Sequence, residues 1–194
     1  EYGILTELLK PLKAPLLVVP GNHDARAPLA AAFPEVGKRV GDSEFFHYAV
    51  DDFPVRLIGY DTTVPKHHHG EVCAARAAWL DKTLAAGGDK PTMIFLHHPP
   101  SRTRIAVMDK SGLANSDAMG AVVAKYPNVE RILCGHLHRA IQARFAGTIA
   151  SIAPSTAHQI AMDIRDEAPL CFNMDPPGFQ LHAWAPDNGI VSYT

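Results

Sequence analysis

Histidine is the residue type whose placement in this chain could do chemistry. Eleven histidines occur among 194 residues, and most fall in short segments: Gly21-Asn22-His23-Asp24, His67-His68-His69, His97-His98 and Gly135-His136-Leu137-His138. Neutral imidazole is the commonest nitrogen ligand for Zn, Fe, Mn or Co, and a carboxamide such as that of Asn22 offers a neutral oxygen. His136 and His138 stand at i and i+2, which on extended backbone puts both side chains on one side, so one short loop can serve one or two ions. Gly135 lets the chain turn sharply beneath them. Taken singly, each segment reads as a surface or satisfied core histidine. Three of them, each directly after an apolar run, read as a metal site at one edge of an α/β sheet. No Asp-x-His or Gly-Asp-x-x-Asp segment supplies the carboxylates that such a site usually draws on.

The elements that must position these loops follow from apolar periodicity. Residues 2–12 place Ile4, Leu5, Leu8, Leu9 and Leu12 at helical spacing, with Pro11 and Pro15 marking the end. Leu16-Leu17-Val18-Val19 before Pro20-Gly21 reads as a strand covered on both faces and delivering Asn22 and His23. Strands are also expected over 45–50 and 55–60, separated by the turn-like Asp51-Asp52. A helix over 74–85 directs Trp79, Leu80 and Leu84 to the core and stops at Gly87-Gly88. A strand over 92–96 delivers His97. A helix over 116–125, with Asn115 as a candidate cap, precedes a strand over 131–134 that delivers His136. After residue 140 the texture becomes strands with Gly and Pro turns: 141–145, 148–152, 158–162, 179–184 and 190–193. Residues 140–194 are therefore expected to supply a β-rich second sheet, part of it a cap or dimer contact.

Composition sets bounds. With 47% hydrophobic residues the chain can bury one sizeable core. A net charge of −2 provides no basic field to gather nucleic acid or anionic lipid. No apolar run approaches the roughly 20 residues of a membrane span. Cys73, Cys134 and Cys171 are odd in number and lack Cys-x-x-Cys spacing, which points to reduced thiols and a cytoplasmic setting. The chain begins at Glu1 without Met, so a segment upstream is expected.

The motifs Gly21-Asn22-His23-Asp24, His97-His98-Pro99-Pro100 and Gly135-His136-Leu137-His138 resemble, in order and rough spacing, the second half of the calcineurin-like metallophosphoesterases. Three further stretches resemble the class III cyclic-nucleotide phosphodiesterase and glycerophosphodiesterase branch. They are His68-His69-Gly70 followed by Ala78-Trp79-Leu80, residues 108–118 (MDKSGLANSDA), and Pro154 to Gln159 with the later Pro176-Pro177-Gly178-Phe179.

The resemblance covers almost all of 1–194 and implies one α/β domain, a two-sheet sandwich flanked by helices (αββα) without its first βαβ portion. It implies a phosphodiester hydrolase using two divalent metal ions (Fe, Mn, Zn or Co) and a hydroxide held between them. Asn22, His97 and His136 would hold one ion and His138 the other. His23 would contact the phosphate or protonate the leaving oxygen, with Asp24 orienting it. His98 and Asn115 are expected to contact substrate. His67-His68-His69 reads as a loop near the site mouth, and His158 as structural or at a subunit contact. The expected partner is a small-molecule phosphodiester, and the β-rich tail points to a homodimer or higher oligomer. Two alternatives stand beside this: an inactive homologue acting as a binding or scaffold protein with a partial metal site, and a phosphomonoesterase of the same superfamily. The family's Asp-x-His and bridging Asp have no counterpart here.

Overall fold

The computed structural model describes residues 1–194. In chain order the helices are α1 (Tyr2–Leu9), α2 (Arg26–Ala32), α3 (Pro34–Val40), α4 (Ala74–Ala86), α5 (Ala106–Asp109) and α6 (Ser116–Val123). The strands are β1 (Tyr48–Val50), β2 (Arg56–Tyr60), β3 (Gly70–Glu71), β4 (Thr92–Leu96), β5 (Leu113–Ala114), β6 (Val129–Cys134), β7 (Ile141–Phe145), β8 (Thr148–Ile152), β9 (Gln159–Ile160), β10 (Phe172–Asn173), β11 (Leu181–Ala185) and β12 (Gly189–Tyr193).

One six-stranded sheet, ordered β1-β2-β4-β6-β8-β7, forms the frame. Its four inner strands run parallel, while β1 and β7 pair antiparallel at the two edges. Alternation along the inner strands sends Ile58, Tyr60, Ile94, Leu96, Ile132, Cys134, Ala150 and Ile152 into the main core, beside Leu80 and Leu84 of α4 and Met119, Val122 and Val123 of α6. Leu57 and Phe95 point to the opposite face. There they meet a smaller core built from Leu29, Phe33, Val36, Phe46, Tyr48 and Val50, so α2 and α3 cover that side. Because the inner strands are parallel, their C-terminal ends share one edge. The loops leaving β2, β4 and β6 therefore emerge side by side, which is where α/β sheets place their ligands.

Several expectations need correction. Leu16–Val19 forms no strand and joins no sheet. No neighbouring strand supplies a ladder, and of its backbone groups only the Val18 carbonyl is engaged, accepting from the Tyr48 hydroxyl at 2.7 Å. The first helix ends at Leu9 rather than Leu12, before Pro11. The β-rich tail does not assemble a second sheet facing the first. Instead β7 and β8 extend the main sheet, while β9-β10, β11-β12 and β3-β5 remain separate two-stranded ribbons. Asn115 precedes α6 in a left-handed conformation (φ 57°) and makes no side-chain capping bond. No helix is long and apolar enough to cross a membrane.

Candidate metal centre

The β4–β6 pairing places Leu96 opposite Cys134, so the two histidine loops start level. Gly135 N–H then donates to the His97 carbonyl at 3.0 Å, carrying the ladder one step past the strand ends. Beyond it the chain does not stay extended: His136 (φ 70°) and His138 (φ 51°) are both left-handed. Two such non-glycine residues so close together are uncommon and mark a locally over-determined turn. Leu137 between them is 1% exposed and anchors the turn in the core. His136 and His138 nevertheless line one cavity of about 490 Å³, together with Asn22, His23, His68, His97 and His158.

The loop carrying Asn22 is closed by Asp24. Its Oδ2 accepts from Gly21 N–H at 2.8 Å, and its Oδ1 accepts from the Tyr2 hydroxyl at 2.6 Å. Gly21 is required here by close approach, since a Cβ at this position would lie 2.9 Å from His97 Cε1. Behind the loop, Arg26 at the start of α2 donates to the fully buried Asp61 carboxylate just past β2, and to the Thr63 carbonyl at 2.8 Å. Asp61 also accepts from Phe46 N–H (3.0 Å), Thr63 N–H (2.8 Å) and the Thr63 hydroxyl (2.6 Å). Burial opposes its charge, but these donors hold its pKa below the usual carboxylate value.

Three imidazoles, His97, His98 and His136, have ring nitrogens within 4.8 Å of one another. Their roles differ by hydrogen bonding. His136 Nε2 lies 3.0 Å from the Ser111 carbonyl, which has no proton, so Nε2 carries the hydrogen and Nδ1 is a free lone pair. That Nδ1 sits 3.2 Å from His97 Nε2, and Asn22 Oδ1 is 2.8 Å from the same His97 nitrogen. Two acceptors thus converge on one imidazole nitrogen, and a single proton there serves both. A divalent cation satisfies all three lone pairs at once, so the donor chemistry fits a metal. His98 differs: its Nδ1 faces Thr62 Oγ1 (2.8 Å), its Nε2 faces the His68 carbonyl (3.1 Å), and it has no exposed surface.

Burial chiefly keeps these rings neutral. It pushes His97 down to about 2, His98 to about 3 and His136 to about 4, with neighbouring imidazoles adding to the effect on each. His138 is lowered by burial first and by His158 second. Neutral rings at pH 7 are the ligand form.

The structure gathers Asn22, His97 and His136 and sets His138 and the exposed His23 around the same cavity. Asp24 bonds the loop backbone and Tyr2 rather than the His23 ring. Substrate contact at His98 does not fit its complete burial. Asn115 is exposed and outside the cavity lining. Arg139 donates to the Ile160 carbonyl and to Asp175. Two of the contributing residues were not singled out in sequence, and a third, His68, belongs to the expected loop near the site mouth. His68 Nδ1 meets the Asn22 amide nitrogen at 3.1 Å, Ser111 orients His136, and Thr62 partners His98. Only His68 carried a signal, as the centre of a histidine triplet.

Imidazoles gathered beyond the parallel strands of an α/β sheet are a metal-binding architecture. The chain belongs to the calcineurin-like phosphoesterase family, whose model matches residues 1–140. It is 34% identical over its whole length to a probable glycerophosphodiester phosphodiesterase of Arcobacter nitrofigilis, covering 71% of that protein. It is 34% identical over 94% of its length to a glycerophosphodiester phosphodiesterase of Enterobacter lignolyticus, and 35% identical over 92% to a probable cyclic nucleotide phosphodiesterase of Rhodopseudomonas palustris. It spans 66% and 65% of those two proteins. Among solved structures, a dimetal phosphatase from Danio rerio matches with a TM-score of 0.54 at 17% identity, over 70% of this chain and 59% of that one, a likeness of fold.

Proposed function

We propose that this chain binds one divalent metal ion through Asn22 Oδ1, His97 Nε2 and His136 Nδ1, and presents it to a phosphate-type anion in the cavity shared with His23, His68 and His138. The observation that carries this is the convergence of those three atoms at 2.8 and 3.2 Å around His97 Nε2. A bound ion there supplies a Lewis acid that screens phosphoryl charge. The clustered imidazoles form a partial metal site, and a binding role is the reading they support.

The test is titration of the 194-residue chain with Co²⁺ or Mn²⁺, followed by calorimetry and metal analysis. One ion per chain, lost in His136→Ala, is expected. Two ions per chain with turnover of bis(4-nitrophenyl) phosphate would replace this reading by a dinuclear enzyme, and no binding would remove both.

The names of the relatives favour a second reading, phosphodiester hydrolysis wherever further carboxylate ligands complete the site. In it the exposed His23 ring, at the cavity mouth, donates a proton to the leaving oxygen. His23→Ala is then expected to slow poor leaving groups more than nitrophenolate, whereas equal losses across the series would remove the proton-donor role. Comparing monoester with diester rates separates a phosphomonoesterase.

A further inference from the structure

We propose that His98 is a positioning residue: lodged beneath the 67–69 loop, it fixes the His68 carbonyl and through that loop sets which end of the Asn22 amide faces the metal position. The inference rests on Asn22 as a ligand, as proposed above.

His98 has no exposed surface, so it cannot meet substrate, and both of its nitrogens are committed within the protein. A carbonyl accepts only, so the 3.1 Å contact with His68 O puts the hydrogen on Nε2. Nδ1 is then an acceptor, and the Thr62 hydroxyl at 2.8 Å is its donor. The ring fits only because residue 70 is glycine. A Cβ there would stand 2.4 Å from His98 Nδ1 and 2.9 Å from the Thr62 carbonyl.

The loop above is anchored at both ends by backbone. His67 N–H donates to Val64 O (3.0 Å), Gly70 N–H to Gly112 O (3.0 Å) and Glu71 N–H to Thr62 O (2.9 Å). Between these anchors, the His98 bond is what holds the carbonyl of residue 68. The His68 ring then takes the Asn22 amide nitrogen at 3.1 Å, leaving the amide oxygen to point at His97 Nε2, 2.8 Å away. An amide rotated by half a turn would present N–H donors to a cation. Thr62, His98, His68 and Asn22 thus form one line of contacts from the end of β2 to the metal position.

The experiment compares wild type with His98→Gln, His98→Asn and Thr62→Val in the 194-residue chain. It reads Co²⁺ affinity and, without metal, the Asn22 side-chain amide signals in the ¹H–¹⁵N spectrum. Gln carries an amide N–H to the Nε2 position and keeps the donor to His68; Asn is too short to do so. His98→Gln is expected within about threefold of wild-type affinity, and His98→Asn weaker by about tenfold or more, the usual range for groups that orient a metal ligand. The Asn22 amide should shift in His98→Asn and Thr62→Val but not in His98→Gln. Wild-type affinity and unshifted amide signals in His98→Asn would overturn the proposal and leave His98 as packing. If the His98 variants do not fold, Thr62→Val decides by the same two readings. If wild type binds no Co²⁺, the metal site fails, while the metal-free Asn22 signals still test His98.

Discussion

At the position where His97 Nε2, His136 Nδ1 and Asn22 Oδ1 meet, all three atoms have lone pairs and at most one proton lies among them. Such an arrangement is worth little as hydrogen bonding and much as a coordination sphere. Asn22→Ala is therefore expected to weaken Co²⁺ or Mn²⁺ binding by about tenfold, while Asn22→Asp, adding a negative charge at the same place, should tighten it. Calorimetric titration reads both, and equal affinities for the pair would place the ion elsewhere. A second residue-scale prediction concerns Asp61. Its carboxylate satisfies Arg26, two backbone N–H groups and the Thr63 hydroxyl without any exposure of its own. Asp61→Ala leaves those donors unpaired. It is expected to cost about 3 kcal/mol in urea unfolding, near the low end for broken buried pairs because the Arg26 side chain retains 26% exposure.

Among the elements, the parallel strands do the positioning, and β2 illustrates how tightly. Gly59 packs against the Tyr48 ring of β1: a Cβ at 59 would lie 2.6 Å from Tyr48 Cε1. Tyr48 in turn holds the Val18 carbonyl in the segment leading to Asn22. Gly59→Ala should thus destabilise the fold by about 1–3 kcal/mol through overpacking and loosen the Asn22 loop. Denaturant unfolding and amide hydrogen exchange at residues 18–24 measure the two effects. How legible each element was in the sequence follows the same physics. The strands at 92–96, 141–145 and 148–152 were readable to the residue, because short β-rich apolar or alternating runs are bounded by turn signals. Helices α2 and α3 were not: α2 buries only Leu29, carries Pro28 in its first turn and has no side-chain cap, and α3 starts on Pro34. The 16–19 run has strand composition, but whether a neighbour lies alongside is not a local property. At the site, three histidine loops were legible because each follows an apolar run, two of which form β4 and β6. The Thr62, Ser111 and His68 contacts depend on loops brought together from distant sequence.

For the molecule as a whole, four imidazoles held neutral in the folded state govern the response to acid. Burial pushes His47 down to about 3, partly offset by Asp61 and reinforced by Arg76 and Arg26. It also holds His97 at about 2, His98 at about 3 and His136 at about 4. His47 further packs against the Tyr60 and Trp79 rings, with ring centroids 4.8 and 4.5 Å away. In the unfolded chain each histidine titrates near its ordinary value of about 6.5. Since the folded values lie lower, the unfolded chain binds more protons throughout the interval between them, and stability rises with pH there. The stabilisation is complete above about pH 7 and is lost as pH falls from about 6.5 toward the folded values. Each histidine contributes a slope of up to about 1.4 kcal/mol per pH unit. Urea unfolding at pH 7.5, 6.5, 5.5 and 4.5 should therefore show a steep fall below pH 6.5. His47→Gln should reduce the slope by one histidine's share without altering metal affinity. Divalent metal should raise the stability of the folded chain across this range, because His97 and His136 stay unprotonated there and free to bind it, but should leave the share carried by His47 unchanged. Stability level down to pH 4.5 would mean that these rings accept protons within the fold, and so that the site is open to water rather than held dry for a metal.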